Sequence, residues 1–468
     1  MQNKVWILSF VLCILPILWS LSTQNPPETS FAGDFVPLTQ VEFISDRTFQ
    51  KNSLPIHDTN IFQTQLDIIE DAQQFILLDQ FLFNDAYDKE KFSYPAQVDA
   101  MTQALIAKKR ENPSIEIIFI TDPINEFYGA YREEHLQLLE ENGIRTVITD
   151  LNQLKDSNPL YSGYYRTFFQ WFGSGKDGWI QNPIAKDAPD VTLRSILKLL
   201  NFKANHRKIL LTEREALISS ANPHDPSAHH SNVALRCSGE ILKQILASEK
   251  NVASFSGADL KEPSLSIEKA PSSDTQGRLI TEKAILDSLL DNIHSAKMGD
   301  NIYMGIFYIS DVKVLSALSE AAKRGVTIQI IADPNKDAFG LKKNGTPNRM
   351  ALSRLAKEND SIQIRWYHTN GEQYHSKMVF FEFAKENRLI LGSANYTRRN
   401  IEGYNLESNI EVITPKNSQL SQDITQYFYT LWNNTDGDYT VEFEQYQNDN
   451  PLSYWRYRIQ EFTGLSAF

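Results

Sequence analysis

Two copies of a His-x-Lys motif, His206/Lys208 and His375/Lys377, are the residues of this sequence best suited to chemistry. A neutral imidazole is a nucleophile, a protonated one is a general acid, and an ammonium group stabilises negative charge on oxygen. Because residues i and i+2 of a strand share a face, each histidine is expected beside its lysine. Two such pairs around one pocket suit a phosphodiester, which one histidine would attack while the other protonates the leaving oxygen. The motifs therefore predict phosphoryl transfer through a covalent phosphohistidine.

The surroundings of the two motifs also recur. A glutamate, Glu213 or Glu382, follows each histidine by seven positions, and a Ser-Ala-Asn sequence then ends at Asn222 or Asn395, where the second copy reads Gly-Ser-Ala-Asn and includes Ser393. Recurrence of the whole order indicates an internal duplication. The two asparagine amides are expected to help hold the negative charge of the equatorial phosphate oxygens.

Each half also presents apolar strands alternating with helical segments, and one strand of each ends at Asp122-Pro123 or Asp333-Pro334. This alternation predicts an α/β fold with a parallel sheet covered on both faces in each half. The halves are expected to pack about a pseudo-two-fold axis. The two Asp-Pro pairs are interpreted first as turns and second as functional acids. The predicted segments are residues 1–30 (signal or anchor and linker), 31–254 (first half), 255–278 (linker), 279–440 (second half) and 441–468 (tail).

The N-terminal residues Val5–Leu21 are largely apolar and follow Lys4. The run is just long enough to span a bilayer, and its flanks favour an N-inside orientation. It predicts a membrane-anchored or secreted, extracytoplasmic protein, with retained anchor and cleaved signal both open. The net charge of −12 weighs against non-specific nucleic-acid binding. With two cysteines, one of them in this run, no internal disulfide of the folded body is expected.

Two other stretches have functional alternatives. The segment Tyr161–Gln181 is an aromatic run broken by glycines, interpreted either as packing of an inserted loop or as an acyl-chain or membrane-interface surface. His224, His229 and His230 lie in a loop after the first Ser-Ala-Asn, but they lack a tight metal-ligand spacing. No metal and no cofactor are predicted.

The paired motifs resemble the phospholipase D superfamily, whose signature is H-x-K-x4-D followed by G-S/G-x-N in each half. NHRK in the first half is similar to bacterial cardiolipin synthases, and GEQYHSKM with GSANYTRRNIEGYNLESN is similar to membrane-associated bacterial phospholipase D-like proteins. The resemblance implies a metal-independent, two-step mechanism with phosphohistidine on His206 or His375. Glu213 and Glu382 replace the usual aspartate, which in the family is mainly structural.

The resemblance also implies an asymmetry between the halves. Glu407 follows Asn395, and an acid there is expected to hydrogen-bond the histidine of its own motif, His375. The same steps from Asn222 reach Asn232 and Ala234, so the first half lacks this acid. A carboxylate favours imidazolium, which gives the hypothesis that Glu407 keeps His375 protonated as the acid and leaves His206 as the nucleophile. The candidate site residues are thus His206, Lys208, Glu213, Asn222, His375, Lys377, Glu382, Ser393, Asn395 and Glu407.

The expected function is a phospholipase D-type hydrolysis or phosphatidyl transfer on a phospholipid, by a chain that works as a monomer. Cardiolipin synthase-like transfer as the main activity is one alternative, and an exported nuclease of the same fold is another. A non-catalytic binding protein is the third, which the two intact His-x-Lys copies disfavour.

Overall fold

A computed structural model describes residues 2–267, 274–338, 341–359 and 361–466, without the side chains of residues 2–11, 338 and 341. Part of the predicted linker, residues 268–273, lies outside the described residues. In chain order the strands are β1 (Val36–Ser45), β2 (Arg47–Lys51), β3 (Leu54–Asp58), β4 (Phe75–Gln80), β5 (Glu116–Thr121), β6 (Arg145–Ile148), β7 (Lys208–Thr212), β8 (Ala216–Ser219), β9 (Val233–Gly239), β10 (Gln276–Thr281), β11 (Asn301–Ile306), β12 (Thr327–Ala332), β13 (Asp337–Ala338), β14 (Leu341–Lys342), β15 (Ile362–Tyr367), β16 (Lys377–Glu382), β17 (Asn387–Gly392), β18 (Ser408–Thr414) and β19 (Thr440–Glu442).

The helices cover the amphipathic segments between these strands. They are α1 (Gln2–Ser22), α2 (Ile61–Asp71), α3 (Gln97–Glu111), α4 (Glu134–Glu141), α5 (Pro159–Tyr164), α6 (Leu193–Leu199), α7 (Ile241–Phe255), α8 (Lys283–Ser295), α9 (Val312–Lys323), α10 (Asn348–Glu358), α11 (Arg398–Ile401), α12 (Gln419–Asn433) and α13 (Pro451–Thr463).

Fifteen of the described strands form one sheet, in the order β19-β15-β12-β11-β16-β17-β18-β10-β1-β9-β8-β7-β4-β5-β6. The α/β prediction is confirmed. The prediction of a parallel sheet is only partly right, because β4, β5 and β6 are parallel to one another, as are β11, β12 and β15, whereas the His-x-Lys strands are antiparallel to their neighbours. The apolar strands are buried on both faces in either arrangement, so their composition does not set their direction.

The halves share one sheet and one of their apolar clusters, while each half also has a cluster of its own. Strand β1 pairs with β9 of the first half and with β10, the first strand of the second half. One apolar cluster includes Leu235 of β9, Ile245 of α7, Leu389 of β17 and Ile424 of α12. The predicted linker ends inside β10, and the predicted tail contains α13. The pseudo-two-fold axis remains a prediction.

The N-terminal apolar run lies within α1, whose first ten side chains are outside the described residues. Its end is held to the first half, where the Ser20 hydroxyl donates to Asp156 at 2.6 Å. Across the residues whose placement is described, we find no helix with the length and apolar character needed to cross a membrane.

Candidate active site

Both His-x-Lys motifs occur where a buried strand begins. Lys208 is the first residue of β7 and Lys377 is the first residue of β16, so each histidine lies two residues before its strand begins. His206 and His375 line the same cavity, of about 240 Å³, together with Asn222 and Asn395. The structure therefore brings the two predicted motifs and both predicted asparagines to one place.

Each lysine is fixed in the same way. The ammonium of Lys208 donates to the carbonyl of His206 at 2.7 Å and lies 5.1 Å from the centre of the Phe81 ring. The ammonium of Lys377 donates to the carbonyl of His375 at 2.8 Å and lies 5.0 Å from the Phe307 ring. Each ammonium group lies close enough to the imidazole of its own motif to lower the pKa of that ring, and the cavity itself is lined by the histidines and not by the lysines.

Each histidine is held by the opposite half of the chain. The backbone N–H of His206 donates to the carbonyl of Leu406 at 2.9 Å, and that of His375 donates to the carbonyl of Ser231 at 2.8 Å. The residue after each acceptor reaches the imidazole: Nδ1 of His206 lies 3.0 Å from the Glu407 carboxylate, and Nδ1 of His375 lies 3.1 Å from Asn232 Oδ1.

This geometry corrects the prediction for Glu407, which contacts His206 and not His375. The reason is that Leu406 forms a parallel bridge with Asn205, while Ser231 forms the equivalent bridge with Tyr374. Each segment after a Ser-Ala-Asn therefore crosses to the motif of the other half. Counting along one half cannot reveal a contact between halves, and it dismissed Asn232, which is the partner of His375.

A serine orients each of these partners. Ser393 donates to the Glu407 carboxylate and accepts the backbone N–H of Ser408 at 2.9 Å. Ser220 donates to Asn232 Oδ1 at 3.1 Å and accepts the backbone N–H of Val233 at 3.0 Å. Ser393 was predicted as a site residue, whereas Ser220 was missed although it occupies the same place in the first Ser-Ala-Asn.

The hydrogen bonds fix the tautomers of both imidazoles. A carboxylate oxygen can only accept, and Asn232 Oδ1 is the amide oxygen because its Nδ2 donates to the carbonyl of His230 at 3.0 Å. Both Nδ1 atoms therefore carry hydrogen, which leaves the Nε2 lone pair of each neutral ring for chemistry. This is the form that a nucleophile and a general base require.

Burial dominates the electrostatics of the cavity. It lowers the pKa of His206 to about 4, although Glu407 opposes the shift, and it lowers the pKa of His375 well below its usual value with help from Lys377. Burial likewise lowers the pKa of Lys208 to about 7. Burial alone would raise the pKa of the Glu407 carboxyl, but His206 and Lys208 hold it below its usual value. A bound phosphate anion would favour the protonated forms of these histidines and lysines, and would therefore raise their pKa values.

Two aspartates hold the backbone just before the two motif histidines. The Asp122 carboxylate accepts the backbone N–H of Asn205 at 2.6 Å, and the Asp333 carboxylate accepts that of Tyr374 at 2.7 Å. Asn205 and Tyr374 are the residues that precede the two histidines. The Asp-Pro pairs are therefore more than turns, since each pins the start of a His-x-Lys segment.

Glu213 and Glu382 lie outside the cavity, so their place among the candidate catalytic residues is corrected. Glu213 accepts the backbone N–H of Gln73 at 2.9 Å, and Glu382 accepts from the Tyr303 hydroxyl at 3.0 Å. Seven residues of extended chain span roughly 20 Å, so neither Glu213, which follows the last residue of β7, nor Glu382, the last residue of β16, can reach a ligand bound at the histidine.

The loop histidines do not form a metal-binding group. His230 lines the cavity with its ring 5.8 Å from that of His375, while His229 stacks on His57 at 3.8 Å. Among residues with described side chains, the group whose ligand atoms come close enough is Asp85, Glu133 and His135. Asp85 is already paired with Lys89 at 2.6 Å, and Glu133 caps α4.

Part of the chain matches a known family model, and its fold is similar to that of solved structures. Residues 289–432 match the family model described as "Cardiolipin synthase, PLD-like domain". The structure of phosphatidylserine synthase from Haemophilus influenzae Rd KW20 is similar over 93% of this chain and 98% of that chain, with a TM-score of 0.59 and 9% identity. At this identity, the likeness concerns the fold. No curated protein matches the chain.

Two further structures are less similar. Polyphosphate kinase from Porphyromonas gingivalis has a TM-score of 0.47 and 13% identity over 91% of this chain and 54% of that one. The phospholipase D family member Nuc from Salmonella typhimurium has a TM-score of 0.27 and 21% identity over 36% of this chain and 99% of that one. At these TM-scores, neither structure supports a conclusion about this chain.

Proposed function

We propose that this chain is a member of the phospholipase D superfamily and that it cleaves or transfers a phospholipid phosphodiester bond through a phosphohistidine on His206. The observation that carries the proposal is the pair of imidazoles lining one cavity, of which His206 alone is paired with a carboxylate. A carboxylate on Nδ1 orients the ring and stabilises the positive charge that develops when Nε2 attacks.

In the first step, Nε2 of His206 attacks phosphorus and the bond to the leaving oxygen breaks. Protonated His375 transfers its Nε2 proton to that oxygen, so the leaving group departs as an alcohol. Lys208, Lys377 and the amides of Asn222 and Asn395 stabilise the charge on the equatorial oxygens. Because His375 is neutral in the empty cavity, its proton is taken up together with the anionic substrate.

In the second step, water or an acceptor alcohol attacks the phosphohistidine. His375, now neutral, removes the proton of the attacking oxygen while the nitrogen–phosphorus bond breaks and His206 is regenerated. The assignment of His206 as nucleophile and His375 as acid agrees with the sequence hypothesis, but its reason is reversed: Glu407 supports the nucleophile, and the acid has an amide partner.

Several features favour a lipid over a nucleic acid. Trp171 and Trp179 of the aromatic insertion are 70% and 72% exposed, as expected of an interfacial surface more than of loop packing. The net charge of −12 disfavours polynucleotides. We further propose an extracytoplasmic protein attached to the membrane through its N-terminal segment. The match to a cardiolipin synthase domain model supports transfer to an alcohol alongside hydrolysis.

The test is incubation of the purified protein with phosphatidylglycerol, phosphatidylcholine and single-stranded DNA, each with and without EDTA. We expect phosphatidic acid or cardiolipin, formed also in EDTA and absent with His206→Ala. Cleavage of DNA with both lipids left intact would reject the lipid substrate. Loss of activity in EDTA, restored by a divalent cation, would reject the metal-independent mechanism.

A further inference from the structure

Helix α13 (Pro451–Thr463) presents an apolar stripe to solvent. Leu452, Trp455, Ile459 and Phe462 are 81%, 64%, 61% and 80% exposed. Their spacing of three, four and three residues places them on one helical face. The opposite face is attached to the protein, where Tyr457 is buried against Met350 and Ala351 of α10. The stripe is therefore an outward-facing surface of a docked helix.

The charge of α13 differs from that of the whole chain. Its basic residues are Arg456, which is exposed beside the stripe, and Arg458, whereas its one acid, Glu461, is buried and accepts from the Ser310 hydroxyl at 2.6 Å. The helix thus shows solvent an apolar and cationic face on a protein of net charge −12. Such a face complements anionic headgroups above an acyl boundary.

The end of α13 lies near a second exposed apolar surface, which involves α1 and the aromatic insertion. Gly464, the residue after α13, lies so close to the Ser157 carbonyl that a Cβ there would stand 2.1 Å from its oxygen. The neighbouring Asp156 receives the hydrogen bond from Ser20 at the end of α1. Leu18 and Trp19 of α1 are exposed, and they line one groove together with Phe168 of the aromatic insertion.

The same end of α13 braces the cavity. Arg399 lines the cavity and donates to the carbonyls of Gly464, at 2.8 Å, and Ser466. A surface on which α13 rests would therefore lie beside one wall of the active site. This arrangement is what an enzyme that draws a lipid from a bilayer requires.

We propose that α13 is an interfacial helix whose Leu452–Trp455–Ile459–Phe462 stripe, with Arg456, docks on a bilayer containing anionic phospholipid. The choice of a lipid surface rests on the proposed function. Helices of this kind lie in the interface plane with their apolar face at the headgroup–acyl boundary.

The experiment is site-directed spin labelling of the full chain. In a Cys13→Ser background, where the remaining Cys237 is buried, nitroxides are placed at Trp455→Cys or Phe462→Cys. Met298→Cys, which is 82% exposed on another element, is the control. Vesicles are made of phosphatidylcholine alone or with phosphatidylglycerol. We expect the α13 labels to lose contact with a water-soluble nickel complex and gain contact with oxygen when phosphatidylglycerol is present, while the control label does not change.

Labels on α13 that remain water-accessible on both vesicles would overturn the inference. Labels that become shielded without vesicles, with light scattering showing a dimer, would replace the lipid by a second copy and overturn it as well. Equal insertion into both vesicles would overturn the role of Arg456. Insertion by a protein that cleaves no lipid would support the docking and reject the proposed function, so the two failures are distinguishable.

Discussion

A carboxylate on one histidine and an amide on the other give the two imidazoles of the cavity different tasks. The negatively charged carboxylate of Glu407 contacts Nδ1 of His206, whereas the neutral amide oxygen of Asn232 contacts Nδ1 of His375. A phosphohistidine develops positive charge on its ring, which a carboxylate stabilises and an amide does not. An acid without a carboxylate partner gives up its proton more readily. This asymmetry is the basis for the proposed roles of His206 as nucleophile and His375 as acid.

The first prediction concerns Glu407→Gln. The glutamine side chain keeps the shape and removes the charge, so the ring loses the stabilisation of its cationic form. We expect kcat to fall by about 10²–10⁴-fold, in the range found when an aspartate that orients a catalytic histidine is replaced. Asn232→Asp is the matched variant at the partner of His375, and its kcat should fall less than that of Glu407→Gln. A Glu407→Gln enzyme within about threefold of the wild-type kcat would contradict this role.

The second prediction concerns protonation. Burial lowers the pKa of His206 to about 4, and the charge of Glu407 raises it against that effect. The ring is neutral above this pKa, so it is ready to attack at neutral pH. Histidine-selective NMR, with His206→Asn for assignment, should show titration near pH 4 in the free protein and lower still in Glu407→Gln. Titration near pH 6.5, or a rise in the variant, would disagree.

At this scale the sequence allowed us to predict that the two histidines and the two asparagines meet in one cavity, because His-x-Lys and Ser-Ala-Asn are local patterns. The pairing of Glu407 with His206 was not predictable, since it depends on a bridge between residues about two hundred positions apart. Asn232 gave a weak signal: it sits ten residues after Asn222, close to the twelve that separate Glu407 from Asn395.

At the scale of elements, two strand ends position the chemistry. Asp122 and Asp333 directly follow the strands β5 and β12, and these carboxylates accept the backbone N–H groups of the residues before the histidines. Strands, helices and the Asp-Pro pairs were visible in the sequence as apolar runs and breaks. The direction of the strands was not visible in the sequence, because a strand buried on both faces has the same apolar composition in parallel and antiparallel pairing.

The third prediction is for Asp122→Ala. The buried backbone N–H groups of Asn205 and Ile124 lose their acceptor, which costs about 1–3 kcal/mol of unfolding free energy for an unsatisfied group. Denaturant titration should show this loss, and kcat should fall because His206 is less well placed. Asp99→Ala, on the exposed start of α3, should stay within about 0.5 kcal/mol. Equal stability of the two variants would remove the supporting role.

At the scale of the whole molecule, the halves are joined by a buried charge network as well as by β1. Arg207 donates to Glu249 of the first half at 2.9 Å and to Glu282 of the second half at 2.7 Å. Glu282 in turn accepts the backbone N–H of Glu407 at 3.0 Å. The α/β class was predictable from sequence and the duplication stays a prediction, whereas this junction depends on packing between the halves.

The fourth prediction is for Arg207→Met. Removing the cation leaves the buried acids Glu249, Glu282 and Asp79 without their partner, so the free energy of unfolding should fall by about 3–5 kcal/mol. Arg354→Met is the matched control, since its pair with Glu358 is exposed and such pairs contribute at most about 1 kcal/mol. Similar stability of the two variants in chemical denaturation would show that Arg207 does not join the halves.

The most direct measurement is to locate the covalent intermediate. The full chain is mixed with a phospholipid labelled in its phosphate, quenched in base because N-phosphorylated histidine is acid-labile, and digested for peptide mass spectrometry. The His375→Ala variant, which lacks the base for the second step, is analysed in parallel with an activated p-nitrophenyl phosphodiester. We predict label on His206 in both proteins. Label on His375 alone in the wild type would contradict the assignment of His206 as the nucleophile.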